Sequence, residues 1–145
     1  MSFGLAMLRE MLERQGYLIQ AATVDFPFDH MDVSLPDGRM QRVVIEAGDD
    51  REIHGIPHAG FIGVATIREK GIDPSKLWPL MEADPDRKGR WIWSRLENGL
   101  TMVGYAVDVP LTEHLDASDL EKTFLEIATL SDKGDAALNA GGDTF

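Results

Sequence analysis

The amino-acid sequence predicts an α+β fold, one antiparallel sheet of about five strands flanked by helices, in the order α-β-β-β-(β)-α-β-β-α. Three observations lead there. Two pairs of runs rich in β-branched and aromatic residues are each joined by a glycine turn, Pro36-Asp37-Gly38 in one pair and Asn98-Gly99 in the other. An amphipathic stretch, Ala117 to Lys133, follows the second pair, and another, Ser2 to Gln15, precedes the first. Hydrophobic spacing switches from period two to period three-and-four at those boundaries.

The opening helix is read from Leu5, Leu8 and Leu12, one stripe that Met7 and Met11 widen, with Gly16 as its stop. Tyr17 to Val24 is expected to be a strand, and Phe26-Pro27-Phe28 breaks it. Met31, Val33 and Leu35 alternate with Asp32 and Ser34, the period of a half-buried strand. Proline and glycine at 36 and 38 set the turn, and Arg39 to Ala47 is the return strand. Gly48 to Arg51 reads as a polar turn, Glu52 to Pro57 as a short extended piece, and Phe61 to Ile67 as a buried strand or a helix segment, its length and β-branched content favouring strand. Asp73-Pro74 is an N-cap and first-turn pair for a helix through Leu77 and Met81. Pro79 should kink or split that helix, since an interior proline costs about 3 kcal/mol. Asp84 to Gly89 is a loop.

A two-residue type I′ turn at Asn98-Gly99 would set Glu97 opposite Leu100 and Leu96 opposite Thr101. One face of that hairpin then collects Ile92, Leu96, Val103, Tyr105 and Val107; the other collects Trp91, Trp93, Arg95, Met102, Gly104 and Ala106. Pro110 ends the ladder. Asp116 is the expected N-cap of the last helix, whose stripe is Leu120, Phe124, Ile127 and Leu130, widened by Leu125. Lys133-Gly134 is its expected stop. A single domain over residues 1–133 with a frayed tail over 134–145 follows.

With 145 residues the chain is long enough to bury a core without staples, and without cysteine it has no disulfide framework, thiolate site or cysteine nucleophile. The net charge of −11, from 14 basic and 25 acidic residues, argues against binding nucleic acid or an anionic membrane surface. No run is apolar enough to span a membrane, and Arg9, Glu10, Glu13 and Arg14 interrupt any signal-peptide pattern. A cytoplasmic setting is the expectation.

The densest group of ligand-type side chains is Asp49, Glu52, His54 and His58, with Asp50 beside them. Carboxylates and imidazoles of that kind bind a divalent ion and polarise water, which gives one reading, a small metal-assisted hydrolase or ligand-binding enzyme. Gly55 and Pro57 keep the two histidines off a common helical face, and no cofactor is expected on the leading reading. That leading reading places function at Trp91, Trp93 and Met102 on the hairpin, with Met7 and Met11 on the first helix as a second contact. Aromatics and methionine are the side chains enriched at the centres of protein interfaces.

Over Leu77 to Leu138, a short helical segment precedes WIWSRLENGLTMVGYAVDVPL, and LDASDLEKTFLEIATLSDKGDAAL closes the domain. With Asp25 to Ala47 agreeing in outline, and with its acidic charge, the chain resembles the small bacterial type III secretion chaperones and the related YbjN-like proteins. The resemblance implies a non-enzymatic sandwich of sheet and helices, commonly a homodimer, that binds an extended segment of another protein as a chaperone or regulatory adaptor.

Overall fold

A computed structural model describes residues 3–68, 72–82, 88–112 and 114–139. The elements are α1 (Phe3–Arg14), β1 (His30–Ser34), β2 (Met40–Ile53), β3 (Ile56–Arg68), a 3₁₀ turn (Pro74–Leu77) running into α2 (Trp78–Glu82), β4 (Arg90–Arg95), β5 (Thr101–Pro110) and α3 (Ala117–Leu138). All neighbouring strands are antiparallel, in the spatial order β1-β2-β3-β5-β4. The α+β class and the five strands agree with the sequence.

Two of the hairpins share one turn design. At Pro36-Asp37-Gly38 the Gly38 N–H donates to the Leu35 carbonyl, the Leu35 N–H donates to the Arg39 carbonyl, and Gly38 has φ +88°. At Glu97-Asn98-Gly99 the same pair of bonds links Gly99 to Leu96 and Leu96 to Leu100, with Gly99 at φ +86°. Each is a three-residue loop, a tight turn closed by a left-handed glycine. The two-residue turn is at His54-Gly55 instead, where both residues have positive φ (52° and 79°) and Ile53 pairs with Ile56. The polar stretch Gly48 to Arg51, expected to be a turn, is therefore strand backbone inside β2, at a register shift between Ala47 and Glu52. Tyr17 to Val24 is not a strand; its one ladder contact is the bridge between Gln20 and His30.

The sheet's front face carries Met31, Val33, Val43, Ala59, Phe61, Tyr105, Val107 and Val109, and α3 lies on it through Leu120, Phe124, Ile127 and Ala128. Phe124 meets Phe61 and Tyr17 edge-on at 4.8 and 5.3 Å. Leu8 and Leu12 of α1 complete this core, with Met11 half-buried against it. Leu125, one residue off the stripe, is 43% exposed and does not widen it. The back face is a second apolar layer of Val44, Ile62, Val64, Met102 and Ala106, packed by Phe26 and Phe28 from the segment before β1. Arg42 lies over the Phe26 ring, 4.7 Å from its centroid.

β3 carries a bulge between Val64 and Thr66, and buried Gln41 on β2 donates its amide N–H to the Val64 carbonyl. A bulge disturbs the ladder locally, and the glutamine supplies Val64 with a side-chain donor.

α3 begins as expected, with the Asp116 carboxylate accepting from the Ser118 N–H at 2.7 Å. Asp116→Ala should lower stability by about 1 kcal/mol and Asp116→Asn by only a few tenths, read from urea midpoints. Equal losses would mean that the cap bond contributes nothing. The helix does not stop at Lys133. Gly134 is buried within it and α3 runs to Leu138; a Cβ at 134 would lie 2.8 Å from the Trp91 ring, so glycine serves here for close approach rather than for a left-handed stop. Residues 140–145 of the expected tail lie outside the described residues, as do 83–87 of the expected loop.

The split of the middle helix follows the proline. Asp73 caps the 3₁₀ turn by accepting from the Ser75 hydroxyl at 2.7 Å and the Ser75 N–H at 3.0 Å, and these two bonds hold its carboxyl below the usual carboxylate range. Pro79 stands in the first turn of α2, directly after the 3₁₀ turn, the part of a helix that tolerates proline best.

Candidate functional site

β4 is an edge strand, and its position is fixed by the residue before it. The Gly89 N–H donates to the buried Tyr105 hydroxyl at 2.9 Å, and a Cβ at Gly89 would fall 2.3 Å from the Ala106 carbonyl. Only glycine lets the chain enter the sheet this closely. Tyr105 in turn donates to Glu126 of α3 at 3.3 Å, tying edge strand, central sheet and helix together.

The observed register corrects the expected faces. Trp91 pairs with Tyr105, Trp93 with Val103 and Arg95 with Thr101, one residue away from the register a two-residue turn imposes. A one-residue slip exchanges faces. Trp91 and Trp93 therefore share the front face with Tyr105 and Val103, whereas Met102 points to the back, where it is 1% exposed beside Ile92. Met102 belongs to the core and not to a site with the tryptophans. Met11 is half-buried against the core and Met7 is half-buried.

Trp91 stacks edge-on to Tyr105 at 5.5 Å and touches α3 at Gly134; its indole N–H has no acceptor among the described residues. Trp93, one step further along the same face, is 40% exposed. Leu77 and Leu80 pack in one cluster with Val103 and Trp91, which seats the 3₁₀ turn and α2 on this flank. That short unit carries Trp78 and Met81, 59% and 45% exposed. Trp91 and Trp93 share one face of β4, and the unit that carries Trp78 is seated near Trp91 through Leu77 and Leu80. Sequence reading did not single out Trp78 and Met81, which lie on either side of Pro79 in a helix of five residues, too short to show a stripe.

The backbone of this edge is open along alternate residues. Leu96 points its N–H and C=O inward, towards Leu100 and Gly99. Antiparallel pairing alternates, so Ser94, Ile92 and Arg90 also bond inward, and Trp91, Trp93 and Arg95 direct their N–H and C=O groups outward. The opposite edge, β1, is partly closed: His30 exchanges two hydrogen bonds with Gln20, and Asp29 accepts from the Ala22 N–H at 2.9 Å.

The group read as a possible metal site is not brought together. Glu52 and His54 are exposed at the tip of the β2–β3 hairpin, and His58 lies on β3 with Nδ1 2.7 Å from the Ile56 carbonyl. The side chain of Asp49 lies outside the described residues. Among the described residues no three histidine, aspartate or glutamate side chains are grouped to hold an ion. A cleft of about 600 Å³ opens between the end of β5 and the start of α3, lined by Lys88, Asp108, Asp116 and Asp119 among others; two of its carboxylates, Asp116 and Asp108, are engaged by the helix cap and by Arg90. No helix among the described residues is long and apolar enough to cross a membrane.

No protein-family model, no curated protein and no solved structure matches the chain.

Proposed function

We propose that the protein is a non-enzymatic, cytoplasmic protein-binding module that takes up an extended segment of another protein by adding it as a sixth strand at β4. The observation that carries this reading is the coincidence of an open sheet edge with two tryptophans, Trp91 and Trp93, on the residues whose backbone groups point outward. Main-chain bonds to an edge provide affinity, and side-chain contacts on alternate positions provide selectivity. Trp93, 40% exposed on β4, offers apolar surface of the kind that anchors interfaces. The chaperone-like or adaptor role implied by the resemblance to secretion chaperones and YbjN-like proteins uses the same physical mode.

Amide exchange tests it. In the free protein the N–H groups of Ile92 and Ser94 should exchange slowly and those of Trp91, Trp93 and Arg95 quickly. Extended peptides selected for binding should slow the second set, and Trp93→Lys, which leaves the inner ladder intact, should abolish that protection while the circular dichroism spectrum is unchanged. Protection of Trp91, Trp93 and Arg95 in the dilute free protein would mean that the edge is already covered, and would overturn the reading.

A further inference from the structure

We infer that the segment accepted at β4 is acidic, with the pattern acid-x-apolar-x-apolar read from its N-terminus, docked antiparallel to β4; this rests on the strand-addition reading above. The sheet is antiparallel throughout, and antiparallel pairing is the more stable per residue. A strand running antiparallel to β4 meets Arg95 first, then Trp93, then Trp91. Residues paired directly across an antiparallel ladder share a face, so its first, third and fifth side chains stand on the front beside one guanidinium and two indoles. Its second and fourth stand on the back, beside Ser94 and Ile92.

Charge decides the first position. Arg95 is exposed and makes no ion pair among the described residues, whereas Arg90, on the other face, is held by Asp108 at 3.0 Å. β4 has no carboxylate, and with Arg90 neutralised by Asp108 its remaining charge is the Arg95 guanidinium, in a chain whose net charge is −11. An acidic segment is repelled from most of this molecule, and the Arg95 guanidinium on the open edge is where it can settle. Directly opposed charges across a strand pair are favourable, and like charges are not. A second copy of the chain suits the edge less well, because it brings another arginine-bearing strip and a further net charge of −11. The other edge strand, β1, carries Asp32 and no arginine or lysine, and its start is already bonded to Gln20.

Tryptophan fluorescence titration with two capped synthetic peptides, Thr-Glu-Thr-Val-Thr-Val-Thr and the same sequence with Lys for Glu, tests the pattern. The glutamate peptide should bind roughly five- to tenfold more tightly at low salt, the preference should shrink as salt rises, and Arg95→Glu should reverse it. Arg95→Gln, which keeps an exposed polar side chain, should equalise the two peptides and guards against misfolding of the charge-reversed variant. Equal binding to the wild-type protein overturns the acidic pattern and leaves strand addition standing. No protection of the β4 amides by either peptide, or by any selected sequence, removes strand addition itself. A concentration-dependent dimer abolished by Trp93→Lys assigns the edge to a second copy and also overturns the proposal.

Discussion

Phe124→Ala is expected to cost about 3–5 kcal/mol of folding stability, a large part of what a domain of this size possesses. The ring is fully buried and is the point where α3, the segment after α1 and the central strand meet, in edge contacts with Tyr17 and Phe61. Truncation removes its own transfer free energy and leaves a cavity whose walls, on a sheet and two packed segments, cannot close fully. The neighbouring Leu125, 43% exposed, supplies the control: Leu125→Ala should change stability by about 0.5 kcal/mol or less. Urea denaturation of both variants checks the pair. A loss under about 1 kcal/mol for Phe124→Ala, against the range for buried aromatics, would show that the core is not centred on α3.

The comparison of those two residues shows where the sequence was legible. The three-and-four spacing of Leu120, Phe124 and Ile127 placed the buried face of α3, and Leu125 belonged to it only on a generous reading of the stripe. Turn chemistry was harder to read. A glycine after a polar residue serves either a two-residue turn or the third position of a three-residue one, and both put glycine at positive φ. At Asn98-Gly99 the second option holds, so the expected strand alternation was right within each strand while the pairing between strands was displaced by one. That displacement moved Met102 out of the candidate site and put Trp91 against Tyr105. The genuine two-residue turn, His54-Gly55, requires positive φ from a histidine, which tolerates it less readily than asparagine, and its strands run through a polar stretch with a register shift. Polar composition alone therefore hid the β2–β3 arm. Trp91 and Trp93 stood out as single side chains, but the edge position of β4 is a property of strand order, which local sequence does not encode.

Glycine placement leads to the second large effect. Gly63→Ala is expected to destabilise the protein by about 2–3 kcal/mol, although alanine is compatible with a strand. A Cβ at Gly63 would lie 2.4 Å from the Ser131 Oγ and 2.7 Å from both the Ser131 Cβ and the Ile127 Cγ2. Ser131 cannot simply swing aside, because its hydroxyl donates to the Ile127 carbonyl at 2.7 Å in a fully buried position. The methyl group must therefore lift α3 from the centre of the sheet. Ser131→Gly removes two of the three contacts, so the double variant should be more stable than the sum of the single losses by at least about 1 kcal/mol. Strict additivity in a double-mutant cycle would mean that α3 does not rest on β3 at this point. The same shift would be felt at the candidate site, since the helix that Gly63 admits carries Gly134 onto Trp91 at its far end. Lifting α3 should loosen Trp91 and change its fluorescence before the protein unfolds, which connects the seat of α3 on Gly63 to the edge where a partner strand would dock.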